Sequence, residues 1–214
     1  MIVLKFTKTS SSALAAHVDT IRAMTYIVRR ANLPAEYSQG FNPHIELGFS
    51  PPLPLGVESL CEYVSVKTDD IGCYLSRLNE VCPTGITFQK QWSCKVNLAA
   101  TINSCLYKVQ ANGIGKVIDE ITAFSYTISY VERGEVVQKE VSSKILSANA
   151  IDENTAEICL CVGNENLRPD RVVLHLMNKH NLQGDYNITK IRSFVNGVDA
   201  DEYLDLLQQS QQNA

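Results

Sequence analysis

The stretch Tyr37-Ser-Gln-Gly-Phe-Asn-Pro-His44, continuing through Ile45-Glu-Leu-Gly-Phe-Ser-Pro-Pro-Leu-Pro-Leu-Gly56, concentrates the groups in this chain best suited to holding a ligand. Ser38, Gln39 and Asn42 bring donors and acceptors, Tyr37 a ring with a phenol, and His44 an imidazole. Gly40 and Gly56 permit backbone angles that other residues avoid, while Pro43, Pro51, Pro52 and Pro54 stiffen the path. Polar groups are thus offered from a rigid irregular segment, longer than compact domains usually keep without a functional reason. A second polar set precedes it. Asp19, Arg22, Tyr26, Arg29 and Arg30 recur at steps of three and four, which puts them on one face of a helix, with His17 toward one flank. Arginine matches phosphate bidentately and tyrosine stacks on a base, so this face suits an anionic or nucleotide ligand. The same spacing also suits a solvated face on which Asp19 and Arg22 simply pair. A third assignment makes His17, Asp19, His44 and Glu62 acid–base groups of an enzyme pocket between helix 13–31 and loop 37–56.

These side chains need elements to hold them. Residues 2–6 read as a strand, Thr7 to Ser12 supply capping hydroxyls, and a helix is predicted over residues 13–31. Its buried stripe is Leu14, Val18, Ile21, Thr25 and Val28, with Met24 and Ile27 beside it. Asn32-Leu-Pro34 stops that helix. A short strand at 45–49, a strand at 62–67, a helix from Asp69 or Asp70 to Glu80 and a strand at 86–92 complete a βαββαβ order. The second half is predicted as a strand at 106–111, a helix at 113–123 and a hairpin of 125–132 with 135–141 around Arg133-Gly134. A strand at 156–162, a helix at 169–180 and a strand at 186–194 follow, with an extra strand near 144–146. The expected class is α+β: two tandem ferredoxin-like βαββαβ units, antiparallel sheets with helices packed on one face. Residues 1–95 form the unit carrying the loop, residues 104–196 the second unit, and residues 197–214 a tail with one docked turn around Tyr203–Leu207.

The run from His17-x-Asp19-x-x-Arg22, through Arg29-Arg-Ala-x-Leu-Pro34, to the 37–44 segment resembles the radical-SAM-linked family of unknown function. Pro52-Leu-Pro-Leu-Gly56, Ser59 and Glu62-Tyr63 share the resemblance, which continues weakly through Leu98-Ala99 and Leu167-Arg-Pro-Asp170 and so covers nearly the whole chain. It implies an accessory role beside a B12-binding radical SAM protein, fused to it or encoded next to it, frequently near a ribonuclease of the E/G type. It implies no reaction of its own. Ile45-Glu46 departs from the family's usual Pro-Lys or Pro-Arg pair, which removes one cation from the loop, and Val18 and Thr20 replace commoner leucine types. The three-cysteine cluster of a radical SAM iron–sulfur site is absent, so that cluster is expected on the partner.

Composition narrows the alternatives. The chain has 214 residues, 45% hydrophobic and 20% charged, which excludes a disordered, collagen-like or coiled-coil protein. No apolar run approaches the ~20 residues that span a bilayer. Residues 1–6 are too short for a signal-peptide core, so a cytoplasmic protein is expected. Net charge is −4, which lacks the basic balance of many nucleic-acid binders, yet residues 1–56 hold five Lys/Arg against three Asp/Glu. The seven cysteines form no C-x-x-C pair, so reduced thiols without metal or cofactor are expected, Cys159 and Cys161 included. Asn112-Gly-Ile-Gly-Lys116 fails the P-loop pattern, and His175 and His180, five apart, turn to different helix faces. Three functions remain: a module binding RNA or another anion for a radical SAM partner, an enzyme using the His/carboxylate pocket, and a structural partner domain without ligand.

Overall fold

A computed structural model describes residues 1–213 and shows an α+β protein built of two compact units. One unit comprises Met1–Ile102 and the chain from Phe194 onward; the other is Asn103–Ser193. Among the described residues no helix is long and apolar enough to cross a membrane.

In the first unit, β1 (Ile2–Lys8) leads through a 3-10 turn at Ser10–Leu14 into α1 (His17–Arg30). The helix starts later than its sequence suggests. Ser12 donates its hydroxyl to Thr9 O at 2.7 Å, a local bond that competes with helical winding. The phase of α1 differs too: Thr20, Met24, Ile27 and Val28 are buried, whereas Leu14 and Val18 are 69% and 57% exposed. The helix ends with Asn32 left-handed at φ 51° and the Leu33 N–H on Val28 O. After the irregular segment come β2 (Leu47–Phe49), β3 (Glu58–Val66), α2 (Leu75–Val81), β4 (Ile86–Trp92) and the short α3 (Leu98–Thr101). The strands run β4-β1-β3, with β2 on the far end of β3, and these pairings are all antiparallel. One face of β1, carrying Ile2, Leu4 and Phe6, packs with Met24, Ile27 and Leu78 of the helices.

The chain's last residues correct two expectations. Residues 200–212 form a helix, not a tail with a single docked turn, and that helix joins the first unit. Lys5, Tyr63 and Lys90, cross-strand neighbours in register, all reach Asp201. Strand alternation puts Lys5 on the opposite face from Leu4 and Phe6, so helices cover both faces of this sheet rather than one.

In the second unit, β5 (Ser104–Ala111) is followed by two 3-10 helices, Ile114–Lys116 and Ile118–Thr122, where one α-helix was expected. Gly113 is left-handed at φ 73°, and the backbone at Gly115 lies so close to Asp152 O that a Cβ would sit 1.8 Å from it. Close approach of backbone, not helical periodicity, sets this segment. Next come β6 (Thr127–Glu132), β7 (Glu135–Glu140), β8 (Ile145–Asp152), β9 (Thr155–Cys161), α4 (Pro169–Lys179) and β10 (Tyr186–Val195). The main sheet runs β10-β5-β9-β8. β6 and β7 turn at Arg133-Gly134 as expected but stand as their own two-stranded sheet. The strand taken as extra, β8, is therefore the partner of β9. A two-residue β11 (Val198–Asp199) pairs with Phe194 and Val195 before α5 (Ala200–Gln212) begins.

Candidate functional site

The 37–44 motif is a small closed loop. Tyr37 and Ile45 form a bridge, and the Ser38 N–H donates to His44 O at 2.8 Å. Below them, Glu36 N–H reaches Lys67 O at 2.8 Å, Lys67 N–H reaches Glu46 O at 3.1 Å, and Glu46 N–H reaches Glu36 O at 3.1 Å. The loop's foot is thus stitched to the end of β3. Lys67 adds ion pairs to Glu36 and Glu46 at 3.1 and 2.8 Å; the hydrogen bonds it donates to Glu46 and Glu36 raise its pKa. Inside the loop, Ser38 Oγ accepts the His44 N–H at 3.2 Å and lies 2.8 Å from His44 Nδ1. Either the hydroxyl or the imidazole N–H can donate in that contact. Gln39, Gly40, Phe41, Asn42 and His44 are exposed, and Gly40 takes φ 139°, a conformation that disfavours a side chain. Phe41 at the tip is 106% exposed relative to its reference. Phe41 is not among the site residues expected from sequence, although an aromatic between Gly40 and Asn42 in a polar loop is a local signal.

α1 presents the second set. Asp19, Arg22, Tyr26, Arg29 and Arg30 are all exposed, as their spacing implied. Arg22 meets Asp19 at 3.3 Å with both side chains largely in solvent, a pairing of small energetic weight. The Arg29 guanidinium lies 5.9 Å from the Tyr37 ring centroid, which brings the start of the loop over the last turn of the helix. His17, at the other end of α1, sets its ring edge-on to Phe49 at 5.5 Å. The fourteen residues of α1 span about 20 Å, so His17 and Arg30 mark opposite ends of the face. Glu62 does not share that surface. It is 6% exposed within β3, where Ser50 donates its hydroxyl to Oε2 at 3.4 Å. Three pairs among the expected residues are therefore brought together: Asp19 with Arg22, Arg29 with Tyr37, and Ser38 with His44. His17 and His44 face solvent while Glu62 is buried, so these three do not share the pocket of the acid–base assignment.

A cluster that sequence spacing did not reveal lies in the second unit. Glu120 receives Tyr126 Oη at 2.5 Å, Lys179 Nζ at 3.1 Å and pairs with His180 Nε2 at 2.8 Å. Burial alone would raise the Glu120 pKa, but the bonds from Tyr126, Lys179 and His180 outweigh it and hold the carboxyl below the usual range. His175 and His180 do serve different partners, as five-residue spacing implies: Ser129 N–H donates to His175 Nδ1 at 3.0 Å. Among the described residues no group of His, Cys, Asp and Glu is arranged to hold a metal ion.

A family model described as an uncharacterized protein conserved in bacteria matches residues 1–169, which includes α1, the loop and the second unit as far as the first residue of α4. No curated protein matches the chain.

Proposed function

Since the chain belongs to DUF2344, a family of uncharacterised bacterial proteins, we propose that it is a ligand-binding accessory module that takes RNA phosphates on the exposed side of α1 and the 37–45 loop. The single observation that carries this reading is the Arg29 guanidinium set over the Tyr37 ring, 5.9 Å from its centroid. It supports one surface that runs from Arg22 and Tyr26 to Arg29 and Arg30, then onto the loop with Ser38, Gln39, Asn42 and His44. Such a surface combines cations for phosphate with Tyr26 and the bare Phe41 ring for base stacking, the two ingredients of single-strand recognition. The B12-binding radical SAM protein, implied by the family resemblance, is the proposed partner, and a cytoplasmic setting follows from that partnership.

The strand orders support a finer fold assignment as well. β4-β1-β3 with β2 on β3, and β10-β5-β9-β8, both follow the order of a ferredoxin-like βαββαβ sheet. On this assignment the β6–β7 hairpin is an insertion, and the 3-10 pair replaces the first helix of the second unit. Such sheets host many functions, so the assignment adds compatibility with RNA binding and nothing stronger.

The test is purification of the tagged chain from bacterial cells at low and at high salt, with any bound RNA sequenced and the radical SAM protein probed by mass spectrometry. RNA recovered at low salt and shed at high salt supports the reading. Recovery of the radical SAM protein with no RNA at either salt would replace it with a purely structural partner role.

A further inference from the structure

A second site lies wholly within the other unit. Between α4 and the β6–β7 hairpin runs an open groove of about 650 Å³, within the size range of small-ligand sites. Its floor holds an unusual stack: the Arg171 guanidinium lies 3.9 Å from the Tyr130 ring centroid, close enough for face-to-face contact. One guanidinium face is thereby covered by an aromatic ring, and the other is suited to a second planar ring. Along α4, His175 follows Arg171 by one turn, about 6 Å, and Asn178 follows by about 10 Å.

The donors along that line are fixed. His175 accepts the Ser129 N–H at Nδ1, so the neutral ring must carry its hydrogen on Nε2 as a donor. Burial, with Lys179 nearby, lowers the His175 pKa, which favours the neutral ring. Lys179 closes the groove with a cation whose present partner is Glu120 at 3.1 Å. The one carboxylate in the lining, Asp170, is already held by Arg168 through two hydrogen bonds at 2.6 and 3.1 Å. Val131 and Val136 add apolar wall, 69% and 73% exposed. Arg171 is held at 2.7 Å by Glu132, a half-exposed carboxylate that an incoming ring or anion would disturb.

We infer that this groove binds a nucleotide, its base stacked on Arg171 and its phosphate received by the His175, Asn178 and Lys179 end. A free mononucleotide and one residue of a nucleic-acid strand present the same chemistry. Base and phosphate are separated in either by a sugar, as Arg171 and the donor end are separated by one to two helical turns.

The experiment is calorimetric titration of the full chain with adenosine monophosphate and, separately, with a short single-stranded oligouridylate. Arg171→Ala should weaken binding of whichever probe occupies the groove by about tenfold or more, the value of a charged interaction. Arg171→Lys, which keeps charge but loses the planar stack, should fall in between. Glu132→Gln, which releases Arg171, should tighten binding several-fold and serves as the variant that cannot be explained by misfolding. Binding of the mononucleotide indicates a small-molecule site. Binding of the oligonucleotide alone, still sensitive to Arg171, indicates a strand subsite. Arg22→Ala and Arg29→Ala leave mononucleotide binding unchanged, which separates this site from the α1 surface. No binding of either probe, or binding indifferent to both Arg171→Ala and Glu132→Gln, overturns the inference.

Discussion

Asp201 is the residue on which the polar contacts of the first unit converge. Lys5 and Lys90 each approach at 2.9 Å and the Tyr63 hydroxyl at 2.7 Å. Burial would raise this carboxyl, but the bonds from Lys5, Tyr63 and Lys90 prevail and hold it below the ordinary range. A carboxylate whose folded pKa is depressed contributes stability that is complete above its unfolded value, about 3.9, and is lost as pH falls through the folded value. Asp201→Asn is expected to cost roughly 2–3 kcal/mol at neutral pH and to flatten the acid limb of the stability curve, measured by urea denaturation from pH 2 to 7. The partners of Asp201 lie far away in sequence, so no local pattern marked it. The loop residues were legible by contrast, because Gly, Pro and His in one short run are local information. Thiols give a further test. Burial raises Cys94 and Cys159 to about 11, and Cys82 likewise, while Cys73 is exposed. Brief alkylation of the native protein should therefore modify Cys73 first, and peptide mapping that finds Cys94 or Cys159 labelled as fast would contradict that burial.

Elements were readable where one face of an alternating or helical pattern is buried locally. β3 is legible from the alternation of residues 62–67, and α4 from Pro169 at its first turn. α1 was found but with the wrong phase, since Leu14 and Val18 fit a helical stripe by type and yet face solvent. β8 was reduced to three residues because Ser147, Asn149 and Asp152 make it look like a loop. Its inclusion in the sheet comes from pairing with β9, which sequence does not record. α5 was read as a mostly unstructured tail because its glutamines suggested solvent. Instead Gln208 accepts the Ser93 N–H and Gln211 accepts the Lys95 N–H, while Asp205 accepts the Trp92 indole N–H at 2.6 Å. Deleting residues 200–214 should accordingly lower the melting temperature of the first unit, whereas removal of a free tail would not. At the β4 entry, Gly85 has φ 89° and a Cβ there would lie 2.1 Å from Thr9 O. Gly85→Ala is expected to cost about 2 kcal/mol or more, read from the urea midpoint.

At the scale of the whole chain, net charge gives little guidance. A total of −4 coexists with a cation-bearing helix face, because acidic residues are spread elsewhere while Arg22, Arg29 and Arg30 share one exposed side. Long-range attraction of a polyanion depends on that local side, and phosphate contacts make affinity fall with salt by counterion release. His44 refines the claim: it is exposed, so His44→Ala should change stability by less than ~1 kcal/mol while weakening RNA binding. The most direct measurement is the affinity of the full chain for single-stranded RNA as a function of salt, for the wild type and for Arg22→Ala and Arg29→Ala. A steep salt dependence, with the logarithmic slope reduced by about 0.7 for each arginine removed, is the result expected if both contact phosphate. A salt-independent affinity, or a slope unchanged in both variants, would contradict RNA binding on this surface.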